Sequence, residues 1–375
     1  MDSEAIFSGI PVTWMRGGTS KAAFFLKNDL PSDPDLRDKV LLSIMGSPDP
    51  RQIDGIGGAD PLTSKVAIVA PSSRTGADID YLFLQVFIDR PVVTDKQNCG
   101  NILSGVGQFA IEKGLLPARD GETTISVYME NSDQIAQVTV QTPDARVVYE
   151  GQARIDGVPG YSAPVLQNFP EAAGSTCGAL LPTASPVELI DGIEVTCIDN
   201  GMPVVVMLAE DMGITGYESR EDLDGNDALK ARLESIRLEA GRRMGLGDVT
   251  ALSVPKMTMV APAKAGGAVT TRTFIPHRCH ASIGVLGAVS VATACMFPDS
   301  PAGKVATLPE GEKKLISVEH PLGETSVRMQ ADWIEGEIKV REAAVLRTAR
   351  KLMEGMVFPA PSLSEADSGL ENVDS

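Results

Sequence analysis

Residues Asn98–Ile111 read NCGNILSGVGQFAI, and residues Cys279–Ala294 read CHASIGVLGAVSVATA. In each, a polar mouth opens onto a run of Gly, Ala and aliphatic residues without Lys, Arg, Asp or Glu. A helix over Asn101–Lys113 is apolar at Ile102, Val106, Phe109 and Ala110 and otherwise mostly small. One over Ala281–Met296 has no charged face at all. Helices without a solvated face must be buried all round. A small-faced helix wrapped by strands, once in each half of the chain, satisfies both stretches.

The flanking sequence supplies those strands. Apolar, β-branched runs bounded by turn residues recur at KAAFFL (21–26), KVAIVA (65–70), YLFLQVFID (81–89), TISVYME (124–130), AQVTVQTP (136–143) and ARVVYEGQARI (145–155). The second half adds IEVTCID (193–199), PVVVMLA (203–209), KMTMVAPA (256–263), AVTTRTFI (268–275), KKLISVEHP (313–321) and SVRMQADWI (326–334). This spacing predicts a mainly strand protein with few helices. Besides the two buried helices, the expected helices are 34–46, 227–245 and 340–355, VREAAVLRTARKLMEG. Helix 227–245 reads as an amphipathic, solvated face.

Met15–Pro31 and Asp199–Ile214 look like distant copies, each a polar Gly loop, an apolar strand and an acidic turn. With the helix pair above, a duplicated unit is the economical explanation. The expected division is 1–186 and 187–360, with the Pro, Gly and Ala-rich segment Gly157–Pro186 as the joint. The acidic tail 361–375, PSLSEADSGLENVDS, is expected to be disordered.

A length of 375 residues accommodates two such domains, and 43% hydrophobic with 22% charged residues suits a globular protein. Net charge of −17 argues against nucleic acid and anionic membrane surfaces, which need clustered Lys and Arg. Five scattered cysteines make no disulfide framework. The start MDSEAIFSGI has no signal-peptide pattern, and the longest apolar run, Ala281–Pro298, is short for a bilayer span. The cytoplasm is the expected location.

Five places could carry chemistry. Cys99 sits at a predicted helix N-terminus, where backbone amides and the dipole favour a thiolate, with Gly100 leaving the amides open and Asn98 and Asn101 able to cap or donate. The bland alternative is a small buried hydrophobe. Lys65 follows a Gly-rich loop and Ser64 and heads an apolar strand. It is either a solvated lysine or a desolvated one whose pKa falls until it can act as a base. The order Thr-Ser-Lys followed by a strand fails the phosphate-loop pattern. MRGGTSK (15–21) is either a turn or an anion cradle from Arg16, Gly17, Gly18, Thr19 and Ser20. Its counterpart DNGMP (199–203) contains Asn200 and Met202. HRCHAS (277–282) suits a carboxylate pocket from Arg278, His280 and Ser282 better than a metal site, because no second ligand cluster accompanies it. Cys177, Cys197 and Cys295 read as structural.

MRGGTSKAAFF, RQIDGIGGADPLTSKVAIV, QNCGNILSGVG, GALLPTA and DNGMPVVVM together resemble the PrpF-like isomerases of the diaminopimelate epimerase fold, over nearly the whole chain to about Pro359. The resemblance implies an α/β (α+β) architecture: two pseudo-duplicated domains, each a rolled, mostly antiparallel sheet around a central helix, with the active-site cleft between them. It implies no metal and no organic cofactor. Lys65 and Cys99 match the positions thought to work as a pair, whereas Cys279 is out of register with the second cysteine of the epimerases. The implied activity is a cofactor-independent shift of a proton and double bond in 4-oxalomesaconate, in the breakdown of lignin-derived aromatics through protocatechuate or gallate. A 2-methylaconitate isomerase is the alternative within the family, and a non-catalytic tricarboxylate-binding protein the alternative outside it. The expected partner is a small tricarboxylate, and a homodimer is open because sheet edges pair readily.

Overall fold

The computed structural model describes residues 9–360 except Gln97, Glu171, Glu335 and Gly336, so the expected tail at 361–375 and the extreme N-terminus lie outside the described residues. The chain divides into two compact units. The first takes the chain up to Arg154, Gly160–Leu166 and everything from Arg347 onward; the second takes Ile155–Pro159 and Gln167–Leu346. These limits differ from the expected single boundary at 186/187. A linear reading of the Pro- and Gly-rich joint could not anticipate that the last strand pairs with the first.

In the first unit the elements run β1 (Ile10–Gly17), β2 (Ser20–Leu26), α1 (Pro34–Met45), β3 (Lys65–Pro71), β4 (Ile79–Val86), β5 (Val93–Thr94), α2 (Gly100–Glu112), β6 (Gly121–Met129) and β7 (Gln134–Thr142). After β8 (Pro164–Asn168) come β9 (Glu188–Ile190), β10 (Ile193–Asp199), β11 (Pro203–Leu208), α3 (Arg220–Asp224), α4 (Asp227–Arg243), β12 (Lys256–Ala261) and β13 (Val269–Phe274). The chain then forms α5 (Val285–Ala294), α6 (Pro301–Val305), β14 (Lys313–His320), β15 (Gly323–Ile334) and β16 (Glu337–Val357).

The duplication is visible in the pairing. β1 and β2 are antiparallel, β2 and β3 parallel, β3 and β4 antiparallel, β4 and β6 parallel, β6 and β7 antiparallel. From β10 to β15 the same alternation repeats, through β10–β11, β11–β12, β12–β13, β13–β14 and β14–β15. Even the short 3₁₀ turns after β2 and β11 correspond, at Lys27–Asp29 and Glu210–Met212. Each unit is therefore a mixed sheet with antiparallel pairs in the majority.

Each sheet is covered on both faces. In the first unit α1 buries Val40, Leu41, Ile44 and Met45 against Phe25, Val66, Ile68 and Leu84 on one face. Side-chain alternation sends Phe24, Ala67, Tyr81 and Phe83 to the other. There α2 packs on β1, β2, β3, β4 and β7, and every residue from Ile102 to Ala110 is buried. Its ring Phe109 meets Phe24 at 5.6 Å. Glycine is required for that fit: a Cβ at Gly105 would lie 2.8 Å from the Phe24 ring, and one at Gly107 2.9 Å from Val140. In the second unit α5 takes the equivalent place against β10, β11, β14 and β15, buried from Gly287 to Ala294.

Two expectations are corrected. The helix expected over 340–355 is strand β16, pairing with β15 and then with β1. Its Ala, Arg, Glu and Lys residues are good helix formers, but ladder partners outweigh so weak a preference. The strand expected at 145–155 is absent apart from one bridge, Ala153 to Ser162. Among the described residues no helix is long and apolar enough to cross a membrane.

The turn between β1 and β2 rests directly on the first turn of α2. A Cβ on Gly17 would stand 2.4 Å from the Asn101 carbonyl oxygen, whereas one on Gly355 would meet nothing within 4 Å. Gly17→Ala should destabilise the protein by about 1–3 kcal/mol, and Gly355→Ala should change stability by less than about 0.5 kcal/mol, as read by urea denaturation of both variants.

Candidate active site

The Gly-rich loop ahead of β3 is built around Gln52. The buried Gln52 amide donates to Ser64 Oγ at 2.7 Å and Ser47 Oγ at 3.2 Å, and accepts from the Ala59 N–H at 2.9 Å. A Cβ at Gly57 would overlap that amide at 2.2 Å, which explains a glycine there. Asp60 then caps the short turn Pro61–Thr63. The loop thus delivers Ser64 and Lys65, both buried, to the start of β3.

Lys65 pairs across the ladder with Gln85 of β4, and its Nζ donates to Gln85 Oε1 at 2.6 Å. The ammonium lies 5.0 Å from the centroid of the Phe83 ring. Burial pulls its pKa below the ordinary lysine value, opposed by attraction to Cys99 and to Asp60. Lys65 is thus the desolvated amine of the sharper reading.

Cys99 is half-buried and stands at the N-cap of α2 with extended backbone, φ −133° and ψ 95°. Burial raises its thiol pKa, while Lys65, the N–H groups of Ile102 and Asn101, and Arg347 pull it down. Lys65 and Cys99 are therefore close enough for each to shift the other's titration. Tyr81 on β4 is fully buried and donates its hydroxyl to the Cys99 carbonyl at 3.4 Å.

Around this pair the turn Gly17–Gly18 closes onto α2. Gly18 has φ +50°, and a Cβ there would sit 2.2 Å from Asn101 Oδ1. Its N–H donates to the Thr348 carbonyl at 2.9 Å. Thr19 is exposed and accepts from Asn101 Nδ2 at 3.0 Å. Ser20 is buried and its hydroxyl has no hydrogen-bond partner among the described residues. It shares the inward face with Ala22 and Phe24. Arg16, by contrast, is committed to the fold: it donates to the carbonyls of Gly18 and Thr348, to Thr348 Oγ1 and to Ser162 Oγ at 2.9–3.3 Å. Asn98 turns to the Ser132 hydroxyl, and Gly100 is the first residue of α2.

The predicted residues of the second unit mostly serve its own packing. The Asn200 N–H donates to Ser290 Oγ at 3.1 Å and Nδ2 to Thr293 Oγ1 at 2.9 Å, while the Met202 carbonyl accepts from Ser290. These contacts seat the β10–β11 turn on α5 as Gly17–Gly18 seats on α2. Helix α5 begins at Val285, behind N-cap Gly284, and Arg278, His280 and Ser282 precede it in the chain. Arg278 is exposed, His280 accepts the Ser282 N–H at 3.0 Å, and Ser282 Oγ contacts His320 Nε2 at 3.2 Å. The buried thiol of Cys279 is pushed up to about 11 by burial, and those of Cys197 and Cys295 to about 12. Among the described residues no group of three or more His, Cys, Asp or Glu could hold a metal ion.

Gln85, Tyr81, Gln52 and Arg347 were missed by the sequence reading. Arg347 is a buried cation, its pKa lowered by desolvation to about 10 and drawn back up by Cys99. It lies on β16, where a helix was expected, so no pattern pointed to it. Gln85 has one signal in hindsight: a lone amide inside the apolar run YLFLQVF.

Cys177 is the other half-buried cysteine, but burial and Asp199 raise it to about 12. Iodoacetamide should therefore modify Cys99 first, at a rate that climbs with pH because the thiol must ionise. Peptide mass spectrometry of the native protein checks the order.

The family described as PrpF protein matches residues 8–360. A (4E)-oxalomesaconate Delta-isomerase of Novosphingobium sp. strain KA1 is 61% identical over 348 residues, covering 93% of this chain and 97% of that protein. A 4-oxalomesaconate tautomerase of Pseudomonas putida is 55% identical over 348 residues, covering 93% and 95%. The crystal structure of a methylitaconate-delta-isomerase superposes with a TM-score of 0.85 at 34% identity, covering 94% of this chain and 96% of that one. With its duplicated sheets, buried helices and motifs matched along the described length, the chain belongs to the PrpF family.

Proposed function

We propose that the protein is a 4-oxalomesaconate isomerase in which Lys65 and Cys99 handle the migrating proton. The pairing of a desolvated amine with a thiol at the mouth of α2 supports the reaction class. The substrate follows from likeness to the two oxalomesaconate enzymes.

In an unsaturated keto tricarboxylate a C–H proton is acidified through conjugation with the carbonyl. Lys65, as free amine, removes that proton; the electron pair moves through the dienolate, and Cys99, as thiol, returns a proton at the far end of the system. The Lys65 ammonium then gives its proton to the Cys99 thiolate, directly or through solvent, which restores both groups. Burial suits both groups to these roles, since it favours the neutral form of each. The unpartnered hydroxyl of Ser20 and the buried charge of Arg347 are the donors for the substrate carboxylates and the developing enolate. One well-placed donor of this kind is worth about 3–4 kcal/mol.

NMR of 4-oxalomesaconate with the enzyme in D₂O tests the reading. Isomerised, deuterium-labelled product should form far faster than in the blank, and the labelled carbon distinguishes keto–enol exchange from an allylic shift. Turnover of 2-methylaconitate alone, in a parallel tube, would refute the oxalomesaconate assignment. Lys65→Met should lower kcat/KM by at least about 10²-fold with an unchanged melting curve. Lys65→Arg should be equally inert at every pH, because guanidinium does not deprotonate.

The pH profile follows in sign. The base must be free, so kcat/KM rises with pH towards the Lys65 pKa, which lies below 10.5. The acid must keep its proton, so activity falls again only above pH 9.0, the ordinary thiol value that Cys99 exceeds.

A further inference from the structure

We propose that Gln85 is the positioning residue for the Lys65 amine, and that its amide, in place of a carboxylate, keeps that amine available as a base. The proposal rests on the reading of Lys65 as the proton acceptor.

Three hydrogen bonds of 3.1 Å or less fix the amide, and a longer one at 3.5 Å runs from Nε2 to the Val86 carbonyl. Gln85 Nε2 donates to the Ser64 carbonyl at 2.9 Å and to the Pro61 carbonyl at 3.1 Å, which leaves Oε1 to face Lys65 Nζ at 2.6 Å. Both side chains are only 6% exposed and stand directly opposite in the β3–β4 ladder. Only an amide can accept from the amine on one side and donate to two carbonyls on the other. The backbone at Pro61–Ser64 therefore orients Gln85, and Gln85 aims Lys65.

A carboxylate at this position would hold the ammonium as well, but its charge would favour the protonated form and raise the pH at which the base becomes free. The charged and titratable groups acting on Lys65 are Cys99 from the start of α2 and Asp60 from the preceding loop, and both favour its ammonium. Arg347 of β16 and Tyr81 of β4 bear on the same thiol. With these neighbours already opposing deprotonation, a neutral acceptor preserves the effect of burial.

The test is Gln85→Glu and Gln85→Met in the full chain, with Lys65 titrated by NMR of ε-¹³C-lysine-labelled protein and assigned by its loss in Lys65→Met. This readout needs no turnover. In Gln85→Glu the Lys65 titration should move up by at least about one unit, and in Gln85→Met it should move down. The rising limb of kcat/KM should follow, so Gln85→Glu loses roughly tenfold below the limb and recovers at high pH. Loss at every pH with an unmoved titration in either folded variant would overturn the proposal, since it is what disturbed packing alone would give. A titration that moves while the rate limb stays put would support the hold of Gln85 on Lys65 and refute Lys65 as base, which separates the two ideas.

Discussion

The contact on which the site depends is backbone against backbone: the Gly17–Gly18 turn lying on the first turn of α2. Helix α2 is buried from Ile102 to Ala110, yet its first N–H groups have no intrahelical carbonyl of the preceding turn to bond. The turn closes on Asn101 from one side and is tied by the Gly18 N–H to Thr348 on β16. The result is a buried helix whose amides at Asn101 and Ile102 still act on the cysteine that caps it. Side chains on Gly17 or Gly18 would force the turn away and leave that helix end without its neighbour.

The second constraint is electrostatic. Desolvation acts in opposite directions on an amine and a thiol, lowering one pKa and raising the other. An exposed lysine and cysteine in contact would drift towards ammonium and thiolate, an acid and a base with reversed assignments and strong mutual attraction. Buried together, with Gln85 as a neutral anchor, Lys65 and Cys99 are biased towards the uncharged pair. In the proposed reaction a proton leaves the substrate towards one and arrives from the other without either group first being discharged.

Much of this was legible in the sequence, for identifiable reasons. The buried helices declared themselves by lacking charge, and the hairpins β1–β2 and β10–β11 by Gly loops before apolar strands. Lys65 and Cys99 stood out because each is a chemically distinctive residue at a position fixed by backbone residues. What failed was whatever depends on long-range pairing. Strand β16 looks helical residue by residue, and only its partners β15 and β1 make it a strand. Arg347 and Thr348 were hidden with it. Gln85 is legible only through register, because one residue's slip along β4 would carry its amide to the opposite face. The duplication, too, is plainer in the alternation of pairings than in the letters. Lys256 opens β12 as Lys65 opens β3, but the ladder across from it begins at Phe274 and the next residue is Ile275, so the copy keeps the lysine without the amide.

The return of the C-terminal strand to the first unit has a consequence for biosynthesis. Arg16 and Thr348, which meet in the finished site, are 332 residues apart. At ordinary translation speeds of roughly 5–20 residues per second, the ribosome works for about 12 to 50 seconds after Cys99 is made before it adds Arg347. Throughout that interval β1 lacks its β16 partner and the Gly17–Gly18 turn lacks the Thr348 carbonyl. A chain stopped short of Arg347 carries Lys65 and Cys99 but none of the β16 residues that pair with β1, nor the Thr348 carbonyl that fastens the Gly17–Gly18 turn.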